Sequence, residues 1–172
     1  MNSRVFQTAG LTKSRIMSDP LTLIATTAFG LEAIAKREIN ALGYPAEIIA
    51  PGWIRFYGDG LSICRTNLWL RTADRVLVQV GTFEADDFET LFETTRQLPW
   101  DRWIPADGQF PVTGRSVKSQ LSSIPACQRA VKKAIVESLM ASHQVEVLPE
   151  TGPEYRCQIA LLKNQATLTI DT

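Results

Sequence analysis

Histidine is almost absent from this chain: His143 is the single one in 172 residues. Cysteine is scarce, with Cys64, Cys127 and Cys157 far apart and no C-x-x-C pair. Structural zinc needs four clustered Cys or His ligands, so no metal site is expected. An odd number of scattered thiols fits a reducing compartment such as the cytoplasm. Each thiol reads as a small core residue, because no base partners it as a nucleophile. No apolar run approaches the roughly 20 residues that span a bilayer, and no h-region marks an exported precursor. No G-x-G-x-x-G follows a strand, and there is no P-loop. Paired carboxylates at strand ends are also missing. Glu84, Asp86 and Asp87 lie at a predicted helix N-terminus, where capping and the macrodipole favour acids. His143 lies near a predicted helix end, where a cation is favoured. No catalytic residue is therefore assigned.

One further absence is informative. From Gln109 to Val136 there is no Asp or Glu, yet Arg115, Lys118, Arg129, Lys132 and Lys133 fall there. From Glu84 to Asp107 the balance reverses, with seven acids against Arg96 and Arg102, a net of −5. The whole chain sums to zero. Charge sorted this sharply predicts a polarised surface. A basic patch interleaved with Ser and Gln suits a phosphate backbone. The alternative is a solvated face that balances the acidic one.

Composition is otherwise ordinary for a globular protein, with 45% hydrophobic and 21% charged residues. Residues 1–16 carry Arg4, Lys13 and Arg15, no acid and no periodicity. They read as a cloning-derived start, a mis-assigned start or an unstructured extension, with a transit peptide as the alternative. Leu21 to Ala28 reads as a strand with Leu21, Leu23 and Ala25 on one face. Leu31, Ile34, Ala35, Glu38, Ile39 and Leu42 follow helical spacing, and Gly43 sits where a C-cap needs a left-handed residue. Ala46 to Ala50 and Trp53 to Tyr57 form a hairpin around Pro51-Gly52. Leu61 to Thr72 reads as a helix with Leu61, Cys64, Leu68 and Trp69 inward, and Arg75 to Phe83 as a strand. That order, β-α-β-β-α-β, is the split β-α-β of a ferredoxin-like unit.

A second unit of order α-β-α-β-β-β follows. Asp86 or Asp87 caps a helix bearing Phe88, Leu91, Phe92 and Thr95. Trp100 and Trp103 read as packing residues. Phe110 to Arg115 is a predicted strand, Ser116 to Ile124 a polar loop, and Pro125 opens a long helix. Its buried face is Cys127, Ala130, Val131, Ala134, Ile135, Ser138 and Leu139; Gln128, Arg129, Lys132 and Lys133 form the opposite ridge. Val145 to Leu148 reads as a strand. Tyr155 to Leu162 and Ala166 to Ile170 form a hairpin around Lys163-Asn164-Gln165. The candidate phosphate-binding set is Arg115, Ser116, Lys118, Ser119, Gln120, Arg129, Lys132 and Lys133. Arg and Lys supply charge, Ser and Gln supply donors, and the helix N-terminus adds free N–H groups. Lys163 can border this set.

The segments Phe29-Gly30-Leu31-Glu32 and Gly43-Tyr44 resemble the start of the THUMP-containing RNA methyltransferases. The specific likeness is to bacterial class I, S-adenosylmethionine-dependent enzymes that methylate guanine N2 of 23S ribosomal RNA. The firmest stretch runs from Phe110-Pro111-Val112 through Gly114-Arg115-Ser116, Lys118-Ser119-Gln120-Leu121 and Gln128 to Ile135. Leu168 to Thr172 resembles the last THUMP strand. The resemblance covers about residues 21–172. It implies an α+β fold in which a ferredoxin-like N-terminal unit packs on an α/β THUMP domain. The divisions expected are 1–20 as an unstructured or cloning-derived extension, 21–66 as the ferredoxin-like domain and 67–172 as the THUMP domain, to within about 15 residues.

The implied partners are structured RNA, 23S rRNA first, and the chain's own C-terminal methyltransferase domain, with no membrane. The family's catalytic domain, with its cofactor loop and Asn/Asp-Pro-Pro-aromatic motif, has no counterpart in this sequence. The chain thus looks like a substrate-recognition half that carries no cofactor, with S-adenosylmethionine expected for the missing domain. Two competing readings are a tRNA-directed relative and a regulatory ferredoxin-like domain whose basic ridge docks an acidic protein. A small-molecule enzyme on this scaffold lacks a catalytic constellation.

Overall fold

The computed structural model describes residues 20–172 and divides them into two compact units. The first reaches Val78 and includes Thr172; the second is Gln79–Asp171. The expectation for residues 1–16 lies outside the described residues.

The first unit contains β1 (Leu21–Thr27), α1 (Glu32–Ala41), β2 (Ala46–Ala50), β3 (Trp53–Gly58), α2 (Gly60–Trp69) and the start of β4 (Ala73–Glu84). Its strands lie in the order β2-β3-β1-β4, every neighbouring pair antiparallel. That is the ferredoxin-like arrangement the element order predicts. Leu23, Ile24, Ala35, Ile39, Ile54 and Phe56 are fully buried. Helix α1 ends in a Schellman motif: Tyr44 N–H bonds Ile39 C=O and Gly43 N–H bonds Asn40 C=O. Gly43 takes φ +94, so the C-cap is where the glycine predicts it.

Helix α2 corrects one expectation. Leu61, Leu68 and Trp69 are 55%, 78% and 63% exposed, and Cys64 is exposed. The buried residues are Gly60, Ser62 and Thr66. A capping box sets this phase. Asp59 Oδ1 accepts the Ser62 amide at 2.9 Å, and Asp59 N–H donates to Ser62 Oγ at 2.9 Å. Thr66 Oγ1 donates to Ser62 C=O at 2.7 Å, so the inward hydroxyls are satisfied within the helix. Two small polar residues therefore face the sheet, and the large apolar ones face outward.

The second unit contains the end of β4, α3 (Phe88–Arg96), a 3-10 turn at Trp100–Arg102, β5 (Val112–Val117), α4 (Ile124–His143), β6 (Cys157–Leu162) and β7 (Gln165–Asp171). Strand order is β4-β7-β6-β5, with β5 parallel to β6 and β6 antiparallel to β7. Asp87 caps α3, its Oδ1 accepting from Thr90 N–H at 2.6 Å. Trp100 is fully buried and donates its indole N–H to Thr95 C=O at 2.7 Å, a packing role as expected. Around it lie Leu91, Ile104, Phe110, Val131, Ile135 and Leu139. Cys127 and Cys157 join this core, and burial pushes the Cys157 thiol up to about 12.

Val145–Leu148 forms no strand. Gln144 terminates α4 in the left-handed region, Val145 N–H returns to Met140 C=O, and Val147 is 74% exposed. A short apolar alternation is ambiguous until a ladder partner is available, and this segment pairs with none.

Candidate nucleic-acid interface

Helix α4 lies against β5 because β5 has a glycine at the contact. A Cβ on Gly114 would stand 3.0 Å from Ile159 Cγ2, 3.3 Å from Gln128 Cγ and 3.4 Å from Ile124 Cγ2. The close approach leaves a cleft of about 570 Å3 beside the first turns of α4. Pro111, Val112, Pro125 and Gln128 line it, with the cations Arg129, Lys132 and Lys133.

These cations are not equivalent. Lys132 Nζ lies 2.7 Å and 2.9 Å from the two Glu150 carboxylate oxygens and donates to Phe110 C=O at 3.2 Å. It also sits 3.5 Å from the centroid of the Phe110 ring. Its charge is engaged within the fold. Lys133 is 71% exposed, 3.8 Å from Glu137 and 5.4 Å from the Phe92 ring. Arg129 is exposed.

The loop after β5 makes a second basic point. Lys118 is exposed in the left-handed region at φ 51. The β6–β7 turn, Lys163-Asn164, is left-handed at both positions, as a two-residue hairpin turn of the primed type requires. Asn164 joins turn and loop. Its Oδ1 accepts from Gln120 N–H at 2.8 Å, its N–H donates to Ser119 Oγ at 3.0 Å, and its C=O accepts from Ala85 N–H at 2.8 Å. Lys163 N–H donates to Val117 C=O at 3.1 Å, which brings Lys163 beside the Lys118 loop.

Several expected donors are committed elsewhere. Ser116 Oγ donates to Leu121 C=O at 2.7 Å and Ser119 Oγ to Val117 C=O at 3.1 Å, so both hydroxyl protons organise the loop. At the start of α4 the Ala126 and Cys127 amides turn back to Ser123 C=O. Arg115 lies on β5 opposite Ala160 of β6. It is exposed, yet protein crowding around its guanidinium lowers its pKa; an arginine keeps its charge regardless. Sequence reading overlooks Asn164, Phe110 and Glu150, whose roles depend on contacts distant along the chain. His143 Nε2 lies 3.1 Å from Ile104 C=O, a structural contact.

Among the described residues no helix is long and apolar enough to cross a membrane, and no cluster of His, Cys, Asp and Glu can hold a metal. The turn from β1 into α1 is no cradle for a cofactor. Gly30 and Gly52 N–H both donate to the Glu32 carboxylate at 2.8 Å, and the Glu32 amide, followed by those of Gly52 and Gly30, holds its pKa down. The α4 cleft presents cations and prolines, and no carboxylate for a ribose. These residues do not fit S-adenosylmethionine.

A ferredoxin-like unit followed by an α/β unit with a basic cleft defines the class. The chain belongs to the THUMP domain family, whose model matches residues 85–171; residues 22–77 match the RlmL ferredoxin-like domain. Among individual proteins, it is 51% identical over 153 residues to YpsC of Bacillus subtilis (strain 168), a protein whose name assigns it provisionally to the RNA methyltransferases. That match covers 88% of this chain and 40% of YpsC. It is 27% identical over 156 residues to the ribosomal RNA large subunit methyltransferase K/L of Syntrophotalea carbinolica, covering 90% of this chain and 22% of that enzyme.

Two solved structures share the fold. A Listeria monocytogenes protein described provisionally as an N6-adenine-specific DNA methylase has a TM-score of 0.87 at 44% identity, over 96% of this chain and 43% of its own. SMU.472, assigned as a methyltransferase and solved in complex with SAH, has a TM-score of 0.85 at 42% identity, over 91% of this chain and 42% of its own. The chain spans less than half the length of each of these proteins.

Proposed function

We propose that this chain is the RNA-recognition region of an S-adenosylmethionine-dependent RNA methyltransferase, acting on guanine N2 of 23S rRNA in the cytoplasm. The methyl-transfer site then belongs to a catalytic domain beyond Thr172, and cofactor binding belongs there too. The observation that carries the reading is the cleft at α4, where Arg129 and Lys133 reach solvent on an acid-free stretch within a THUMP domain. Lys118 and Lys163 extend the cationic surface at the Asn164-braced loop. Spaced cations of one sign track a phosphate backbone; the surface offers little for reading base edges, so recognition is of RNA shape. Kinship with the ribosomal RNA large subunit methyltransferase K/L and with the RlmL ferredoxin-like domain supports a ribosomal RNA target, and guanine N2 is carried over from the resemblance of residues 21–172 to the guanine-N2 rRNA methyltransferases.

The test is equilibrium binding of the chain to 23S rRNA fragments and to tRNA over a range of salt. The expected result is salt-sensitive binding that favours a 23S fragment. The combined substitution R129A/K133A/K118A/K163A should remove most of it and flatten the log–log salt slope by roughly 0.7–0.9 per lost phosphate contact. The control K36A/R37A on α1 should cost less. Preference for tRNA would move the substrate class. Unchanged affinity and slope in the fourfold variant would move the interface elsewhere and favour protein docking.

A further inference from the structure

We propose that the outward face of α2 is the docking surface for the catalytic domain of the longer polypeptide. The inference rests on the reading above that such a domain exists. Helix α2 is amphipathic in the inverted sense. Its polar residues Ser62 and Thr66 are buried, whereas Leu61, Leu68 and Trp69 are 55%, 78% and 63% exposed. Leu61 and Leu68 stand seven residues apart, on one side of the helix, with Trp69 beside Leu68. The Asp59–Ser62 capping box holds this phase, so the helix cannot rotate its apolar side inward without losing its cap. An exposed cluster of one tryptophan and two leucines matches the anchors that dominate protein interfaces.

The occupant follows from two observations. Asn67 Nδ2, on α2, donates to Thr172 Oγ1 at 2.8 Å. Polypeptide that continues past Thr172 therefore leaves the fold beside this helix, where its effective concentration is highest. The matched relatives are more than twice as long as the region they share with this chain. RNA is a poor occupant, because α2 carries Arg65 as its only cation and its leucines offer no hydrogen bonds.

Cys64 lies on α2 and is exposed, whereas Cys127 and Cys157 are buried, so it is a built-in probe. Its rate of modification by a maleimide should be measured in the 172-residue chain and in the longer polypeptide carrying the catalytic domain. The expected result is about tenfold or greater protection in the longer polypeptide, a docking preference of about 1.4 kcal/mol. Leu68→Asp combined with Trp69→Ser should abolish that protection while leaving the melting temperature of the 172-residue chain unchanged. Equal Cys64 rates in the two wild-type proteins would overturn the inference. So would protection of the 172-residue chain that grows with its own concentration, or protection that appears only when RNA is added. RNA binding by the 172-residue chain is scored separately: if it persists while Cys64 stays unprotected, docking alone fails and the RNA-recognition reading stands.

Discussion

Lys132 and Glu150, 18 residues apart and on different elements, form an ion pair with Nζ 2.7 Å from Oε2, and the same amine covers the Phe110 ring. The pair engages one of the three cations that line the cleft. Glu150→Gln should release it. Affinity for RNA is expected to rise, and the log–log salt slope to steepen by about 0.7–0.9, one phosphate contact. Both side chains are about one-third exposed, so the stability cost should stay below about 1 kcal/mol. Fluorescence titrations at several salt concentrations, with a thermal melt, check both numbers. Weaker RNA binding with an unchanged melt would show that Glu150 positions Lys132 for the ligand rather than withholding it.

Asn164 ties the β6–β7 turn to the loop carrying Lys118 through its bonds to Gln120 and Ser119. Asn164→Gly keeps the left-handed backbone accessible and removes only the side-chain bond. Stability should fall by about 1 kcal/mol, the value of one hydrogen bond. RNA affinity should fall as well, because Lys118 and Lys163 lose their fixed spacing. An affinity equal to wild type would place the loop outside the interface.

Trp100 is the largest fully buried side chain of the second unit. Trp100→Ala should cost about 3–5 kcal/mol through the cavity it leaves. It also removes the bond to Thr95 C=O. Urea denaturation followed by circular dichroism measures the loss. A cost below about 1 kcal/mol would mean that the core collapses around the site.

The capping box makes a pH prediction. The Ser62 hydroxyl and amide hold the Asp59 carboxyl below its ordinary value. A group with a depressed folded pKa stabilises the protein above its unfolded pKa, about 3.9, and that contribution disappears as pH falls through the folded value. Asparagine caps as well as aspartate but does not titrate in this range. Asp59→Asn should therefore match wild type less closely at neutral pH than at about pH 3, where the wild-type advantage has begun to fall. Urea midpoints at the two pH values provide the comparison. A constant difference between the two proteins would remove Asp59 from the acid response.

Much of the architecture was legible locally. The period of Ala35 and Ile39 and the terminal Gly43 place α1 and its end. Pro51-Gly52 places the first hairpin, and Cys127, Val131, Ala134, Ile135 and Leu139 mark the buried side of α4. These signals need only neighbours three or four residues away. The failures occur where distant partners decide. Leu61, Leu68 and Trp69 have the spacing of a buried face, yet the cap at Asp59 turns that face out. Val145–Leu148 has strand composition without a ladder to join.

For the site, sequence alone determined the charge: an acid-free run from Gln109 to Val136 remains basic however it folds. Tertiary structure decided which of those charges are available. It brought Glu150 onto Lys132, directed the Ser116 and Ser119 protons into the loop, and placed Lys163 beside Lys118 through Asn164. Charge is a property of residue type, whereas its neutralisation depends on distances of a few ångströms between residues far apart along the chain. Those distances exist only once both elements have packed.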